Sequence, residues 1–463
     1  MDLEGKTILV IGLGKTGVAT ARFLLEKGAR VMAAEEKPLA ELGDTIAPLR
    51  GMPGLEMGIG QADLDVLSRA NLIVPSPGVP PFNPLLAEGM RRGIPVVSEL
   101  ELAAGYVRTP IIAITGTNGK TTTTTLVGEI LAHCGKRVFV GGNIGTPLIS
   151  YAGAVKEDDY VVLEVSSFQL QWVRDFHPFV AVLLNVSCDH LDYHPSLEEY
   201  RSVKERIFAR QGRGDLAVLN ADDPASADLA RRLPAEHVVC FSSSSTLERG
   251  IFIDGKTIRC RRPEADEEYP VGRIRLRGVH NLENVMAAVL AARMCGCPPA
   301  GIIDVLGTFT GIAHRIEFSG RVDGVDYYDD SKGTNVDAVY RALQSFPGPV
   351  ILLAGGRYKG GDFGMLAALL RERCKALIVF GEAARRIESM IGGIVRTKRA
   401  GTLREAVRMA RDIASSGDTV LLSPGCSSFD EFRNYEERGS VFKEIVRRMG
   451  HEGSKGIWAD SLQ

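Results

Sequence analysis

A chain of 463 residues is too long for one hydrophobic core, and its length predicts about three domains. With 45% hydrophobic residues, 24% charged residues and a net charge of −2, it is an ordinary globular composition without the positive field that nucleic acid or an anionic membrane needs. No apolar run approaches the roughly 20 residues of a membrane span, and Met1-Asp-Leu-Glu-Gly-Lys6 lacks a secretory layout.

Of the eight cysteines only Cys295 and Cys297 are close, and their spacing fits neither a zinc nor a redox motif. Reduced thiols in a cytoplasmic protein are the expectation. The first elements are a strand at Thr7–Ile11, the turn Gly12-Leu-Gly14-Lys-Thr-Gly17 and a helix ending near Gly28. A second strand, Val31–Ala34, ends in Glu35-Glu36. Strand, G-x-G-x-x-G, helix and a later acid form a phosphate-and-ribose fingerprint, which a dinucleotide or a nucleoside-diphosphate sugar satisfies equally. The run Leu72–Val74 leads into Pro75-Ser-Pro-Gly-Val-Pro80, where Gly78 is either a turn residue or a point of close ligand approach.

Strands are next expected at Ile111–Ile114, Arg137–Val140, Tyr160–Val165 and Phe179–Val186, with helices between them. Such alternation predicts a mainly parallel sheet with its ligands at the C-terminal strand ends. The motifs fall there. Thr115-Gly-Thr-Asn-Gly-Lys-Thr-Thr122 follows the first strand and opens a helix, so its backbone N–H groups form a phosphate cradle. Lys120 reaches terminal phosphates and Thr121 offers a hydroxyl to Mg²⁺. The loop is a shortened P-loop, because Ile114 stands where the general pattern has its first glycine. Gly141-Gly-Asn143 follows the second strand, Glu164 ends the third, and Asp189-His190 follows the fourth.

Glu164 sits in an otherwise apolar strand, where a carboxylate either turns to water or requires a cation. His190 reads as a hydrogen-bonded loop residue or as a metal ligand. A capping box, Ser196-Leu-Glu-Glu199, starts a helix to about Arg210 whose apolar stripe is Leu197, Tyr200, Val203, Ile207 and Phe208. Lys204 falls inside that stripe, where a lysine snorkels or pairs with a carboxylate. Residues 240–276 read as a peripheral strand excursion. His280-Asn-Leu-Glu-Asn284 is expected as a turn before an Ala-rich helix. From Ile312 onward, strands at Val350–Ala354, Ala376–Phe380 and Asp418–Leu422 alternate with helices. The accompanying loops are Asp329-Asp-Ser-Lys-Gly-Thr334, Gly355–Gly360 and Ser423–Asp430.

These motifs together resemble the Mur ligases, ATP-dependent enzymes that add amino acids to UDP-N-acetylmuramic acid precursors of peptidoglycan. The resemblance covers nearly the whole chain and runs to the D-glutamate-adding branch. It implies three Rossmann-like α/β lobes around a cleft: 1–98 for the UDP precursor, a P-loop-type ATPase lobe at 99–311, and 312–463 for nucleotide and D-glutamate.

By this resemblance, ATP meets Gly116, Thr117, Asn118, Gly119, Lys120, Thr121 and Thr122, together with Asn281, Arg315 and Asp330. Two Mg²⁺ ions would use Thr121, Glu164, His190 and Lys204, the last as a carbamate. The catalytic set would be Lys120, His190 and Lys204. UDP-N-acetylmuramoyl-L-alanine would meet Gly14, Lys15, Thr16, Glu35, Glu36, Gly78, Asn143 and Ser166. For D-glutamate the matching residues are His314, Lys332, Thr334, Lys359, Ser428, Phe429 and Tyr435. A monomer without membrane insertion or nucleic-acid partner is expected. The chain departs from the branch at Lys15, where an apolar residue is common, and at Glu35-Glu36-Lys37, where an acid and then an arginine are common.

Two other classes explain less. A nicotinamide oxidoreductase accounts for Gly12–Gly17 and Glu35 but leaves Lys120, Glu164 and His190 without a purpose. A non-catalytic nucleotide-binding module leaves the metal-ligand set unexplained. Folylpolyglutamate synthases share the ATP loop but not the N-terminal lobe, and the Asp-Asn-Pro-Arg motif of diaminopimelate- or lysine-adding relatives is absent.

Overall fold

The computed structural model describes residues 2–60, 63–153, 157–189, 193–262, 266–276 and 278–452, with the side chains of 39, 40, 451 and 452 set aside. These residues form three sheets. The first comprises β1 (Thr7–Ile11), β2 (Arg30–Glu35), β3 (Leu55–Ile59) and β4 (Leu72–Pro75), all parallel in the order β3-β2-β1-β4. Side chains alternate across β1: Ile8 and Val10 join one apolar cluster, Leu9 and Ile11 another. That period of two with both faces apolar marks a sheet covered on both sides. The edge strand β3 is mostly exposed, and its weak apolar pattern does not announce a strand.

The second sheet holds β5 (Ile111–Thr115), β6 (Val138–Gly142), β7 (Tyr160–Glu164), β8 (Val180–Leu183), β9 (Leu216–Asn220), β10 (Val238–Ser242), β11 (Gly250–Asp254), β12 (Thr257–Arg261) and β13 (Glu267–Pro270). Their order is β13-β12-β11-β10-β9-β8-β5-β7-β6, parallel except for the antiparallel pairs β11/β12 and β12/β13. The excursion at 240–276 is thus the outer edge of this sheet. Together the first two sheets belong to one compact unit, and a single buried cluster runs from Ile8 and Val31 through Leu100 and Leu148 to Leu163 and Ala181.

A second unit contains β14 (Glu317–Val322), β15 (Val325–Asp329), β16 (Val350–Gly355), β17 (Cys374–Phe380), β18 (Thr397–Arg399) and β19 (Thr419–Gly425). Their order is β14-β15-β19-β16-β17-β18, and only the β14/β15 hairpin is antiparallel. Alternate residues of β16 again enter clusters on opposite faces.

Two local expectations are corrected. Leu197 is 45% exposed, so the inward stripe of the helix Leu197–Glu205 begins at Tyr200. The Ala-rich helix starts at Val279, which puts Asn281 and Asn284 on one face of its first turn. Among the described residues no helix is long and apolar enough to cross a membrane.

Candidate active site

The loop between β5 and the helix Lys120–His133 turns through Gly116 (φ 151°) and Gly119 (φ 88°). A side chain at Gly119 is excluded twice, because that φ disfavours any Cβ and a Cβ would sit 2.2 Å from Asn284 Oδ1. Asn185, just beyond β8, holds the loop from behind. Its carbonyl accepts from Thr117 N at 2.9 Å, its Oδ1 accepts from Asn118 N at 2.9 Å, and its Nδ2 donates to Asn118 O at 3.2 Å. Lys120 Nζ donates to the carbonyls of Gly116 and Thr117, both at 2.8 Å, keeping its charge against the loop. Thr121 and Thr122 are buried in the first helical turn.

Glu164 ends β7 in register with Ile114 of β5 and Gly142 of β6, beside the loop. It is 3% exposed. Oε1 accepts from Asn143 Nδ2 at 2.8 Å, whereas Oε2 is buried with no hydrogen-bond partner among the described residues. An unpartnered buried carboxylate oxygen is costly, and a hard divalent cation suits it. The donor set therefore fits Mg²⁺.

Lys204 is 1% exposed and reaches the loop from the helix Leu197–Glu205. Its Nζ donates to Gly116 O at 3.0 Å and lies 4.4 Å from the Tyr200 ring centroid. Tyr200 Oη is in turn 3.3 Å from Thr117 Oγ1. Lys120, Lys204 and the Glu164 strand end thus converge on one loop. His190 lies outside the described residues.

In the first sheet, Gly17 lies so close beneath the β1 turn that a Cβ there would be 1.9 Å from Gly12 O. Glu35 closes on this turn: Oε2 accepts from Leu13 N at 2.6 Å and Oε1 from Lys37 N at 3.0 Å. Its carboxylate thus pins the turn from the side of the second strand. Glu36 accepts from Asn83 Nδ2 at 2.9 Å. A cleft of about 160 Å³ lies between Gly12, Glu35, Glu36, Gly78 and Asn83. Gly14 caps the helix Lys15–Glu26, with Thr16 in its first turn. Lys15 Nζ donates to Gly145 O at 2.5 Å. Ser166 caps a short helix by a reciprocal bond with Gln169.

The second unit gathers the loops around β15 and β19. His314 Nδ1 is 2.7 Å from Asp329 Oδ2, and Glu317 is paired with Lys443 at 2.9 Å, so this acidic group is internally satisfied. Arg315 follows His314 on the same loop. Burial pushes the Asp330 carboxyl up to about 7, against the opposing pull of Ser423 and Arg315. Lys332 Nζ lies 5.3 Å from the Tyr435 ring centroid, and its backbone N–H donates to His314 O at 3.0 Å. Thr334 is half-buried, Ser428 is 2% exposed, and Phe429 and Lys359 are exposed.

Sequence reasoning missed Arg438, which is fully buried. It donates to Ser331 Oγ at 2.9 Å and Ser331 O at 2.8 Å, and to the carbonyls of Cys426 and Ser427. It therefore ties the Lys332 loop to the Ser428 loop. Asn185 was missed as well. Neither carries a local signal; the anchoring depends on what lies opposite in space.

Three segments match known domain families: 6–98 the "Mur ligase MurD-like, N-terminal domain", 114–292 the "Mur ligase middle domain", and 314–426 the "Mur ligase, glutamate ligase domain". The chain is 55% identical to the UDP-N-acetylmuramoylalanine--D-glutamate ligase of Syntrophus aciditrophicus, over 96% of this chain and 99% of that protein. The enzyme of the same name from Koribacter versatilis is 44% identical over 98% and 100%. Among solved structures, a pseudomurein peptide ligase type C from Methanothermus fervidus superposes with a TM-score of 0.61 at 22% identity, covering 96% of this chain and all of that one. The MurF ligase from Thermotoga maritima, in complex with ADP, gives 0.60 at 18%, covering 98% and 96%.

Proposed function

The chain belongs to the Mur ligase family, and on that premise we propose that it adds D-glutamate to UDP-N-acetylmuramoyl-L-alanine, driven by ATP, in cytoplasmic peptidoglycan precursor synthesis. The observation that carries the reading is the grouping of the Gly116–Thr122 loop with the unpartnered oxygen of Glu164 and the buried amine of Lys204. A nicotinamide reading is disfavoured because it leaves the Lys120 loop, the Glu164 carboxylate and the buried Lys204 without a purpose.

In the first step an alanine carboxylate oxygen bonds to the γ-phosphorus of ATP, and the bond to the ADP oxygen breaks. The loop N–H groups and Lys120 hold the triphosphate and meet its developing charge. Glu164 and Thr121 would hold a Mg²⁺ ion, which would supply further charge neutralisation. In the second step the D-glutamate nitrogen bonds to the acyl carbon, the carbon–phosphate oxygen bond breaks, and the amine releases its proton. Lys332, Thr334, Ser428 and Tyr435 receive the amino acid; a cation with hydroxyls suits two carboxylates. Asn281, Arg315 and Asp330 meet the nucleoside, while the cleft at Glu35, Glu36 and Gly78 takes the uridine end of the precursor. All these residues belong to one chain, so a monomer suffices.

Lys204 acts as a carbamate in this reading. Its amine attacks CO₂ and loses a proton, which turns a cation into an anion with two oxygens suited to a second Mg²⁺. The bond to Gly116 O survives, because a carbamate nitrogen retains one N–H.

Amino-acid-dependent phosphate release tests the reaction. Release should require D-glutamate and ignore L-glutamate, L-lysine and diaminopimelate; equal rates with diaminopimelate would overturn the assignment. For Lys204, ¹³C-bicarbonate should give a carbamate resonance. Lys204→Ala should lose most activity and regain part of it in millimolar acetate, while Lys204→Arg stays inactive. An active arginine variant would refute the carbamate.

A further inference from the structure

Another cavity, of about 340 Å³, lies where β9 and β10 of the second sheet begin. These strands run parallel to β5 through β8, so their starts face away from the phosphate loop that follows β5. The cavity is lined by five arginines: Arg213 in the turn before β9, Arg249 just before β11, Arg261 at the end of β12, and Arg262 and Arg293 beside them.

Only part of this charge is answered by the protein. Arg293 is paired with Glu267 at 2.5 Å, and Arg262 lies 3.8 Å from the same carboxylate. Arg213 and Arg249 make no ion pair and no side-chain hydrogen bond among the described residues. Arg261 lies 4.9 Å from the Phe252 ring centroid, and among the described residues its side chain donates only to a carbonyl, Leu247 O, at 3.0 Å. Among the described residues, the acids in the wall form no ion pair with these three. Asp215 is engaged by His177 at 2.7 Å, and Glu236 is mostly exposed beside His237.

We propose that this arginine-lined cavity is a binding site for a small ligand carrying two or more adjacent phosphate groups, separate from the ATP site. Three guanidinium groups that have no carboxylate partner among the described residues reach one cavity from three chain segments, and a single phosphate would leave part of that charge unmet. A guanidinium presents paired N–H donors that match phosphate oxygens. Stacking on Phe252 and the Leu247 carbonyl hold Arg261 in place before any ligand arrives. The volume is that of a small-molecule site, which favours a short phosphate chain over a macromolecule.

The test titrates tripolyphosphate, and separately ATP, into full-length Lys120→Ala protein and into the same protein with Arg213→Glu and Arg249→Glu added. Both arginines are exposed, so the fold should persist, and the double change made alone, with Lys120 retained, should leave ligase activity as it was. The expected result is a tripolyphosphate site in Lys120→Ala protein that weakens at least tenfold with the two glutamates. A parallel loss for ATP assigns the site to nucleoside polyphosphates; a loss for tripolyphosphate alone assigns it to free phosphate chains. Tripolyphosphate affinity unchanged by the two glutamates, or no binding to Lys120→Ala protein, would overturn the proposal. So would tighter binding of an acidic peptide than of tripolyphosphate, which would make the cavity a protein-docking site.

Discussion

Arg438 and Asp330 show how burial sets the properties of single groups in the second unit. Burial lowers the Arg438 pKa to about 10, still high enough to keep its charge at neutral pH. Arg438→Ala would leave the carbonyls of Ser331, Cys426 and Ser427 without their donor. A stability loss of about 3 kcal/mol is expected in denaturant unfolding, with a raised KM for D-glutamate. Asp330 has the opposite problem. Its folded pKa, about 7, lies above the ordinary 3.8, so between those values the folded chain holds a proton that the unfolded chain has released. Stability contributed by this group therefore falls as pH rises through that window. Asp330→Asn removes the cost while keeping an acceptor for Ile316 N and a partner for Ser423. At pH 8 it should be more stable than the parent by a few kcal/mol, and at pH 3 or below equal to it, while its KM for ATP rises. Equal stability at pH 8 would show that burial does not burden this carboxyl.

At the scale of elements, the helix Lys120–His133 joins a functional N-terminus to an imperfect interior. Thr122, Thr123 and Thr124 are buried, and their hydroxyls have no hydrogen-bond partner among the described residues. Thr122, in the first helical turn, is expected to serve phosphate, but Thr123 and Thr124 only pack. Valine has nearly their shape and a similar helix propensity. Thr124→Val should raise stability by about 1 kcal/mol with kcat unchanged; a loss would reveal a polar partner for that hydroxyl. The helix Lys15–Glu26 is constrained in another way. A methyl group at Gly17 would stand only 1.9 Å from Gly12 O, so Gly17→Ala must push the helix away from β1. Weaker binding of the UDP precursor should follow, with ATP binding retained.

At the scale of the whole molecule, the two units carry different chemistry. One holds the phosphate loop, Glu164, Lys204 and the Glu35 cleft; the other holds the Lys332 and Ser428 loops. Calorimetry separates their ligands. UDP-N-acetylmuramoyl-L-alanine should bind the full chain and NAD⁺ should not; binding of NAD⁺ with none of the UDP-sugar would reverse the proposed role of the first sheet.

Local pattern alone determined the strand–turn–helix units, the glycine turn between β5 and the helix Lys120–His133, and the inward position of Lys204, because period, glycine placement and caps act within a few residues. The edge strands β3 and β18 escaped that reading, being short and half-solvated, as did the β14/β15 hairpin, whose pairing interrupts the parallel alternation. The start of the helix at Val279 escaped it too, since asparagines favour caps yet here face inward at 4% exposure. Only tertiary structure decided the anchors. Asn185 meets the loop because β8 lies beside β5, and Arg438 reaches two loops because its helix, Tyr435–Glu452, packs over β14 and β15. On a helix an arginine normally reads as a solvated face, and nothing local to it says that a carbonyl from more than 100 residues away will close onto it.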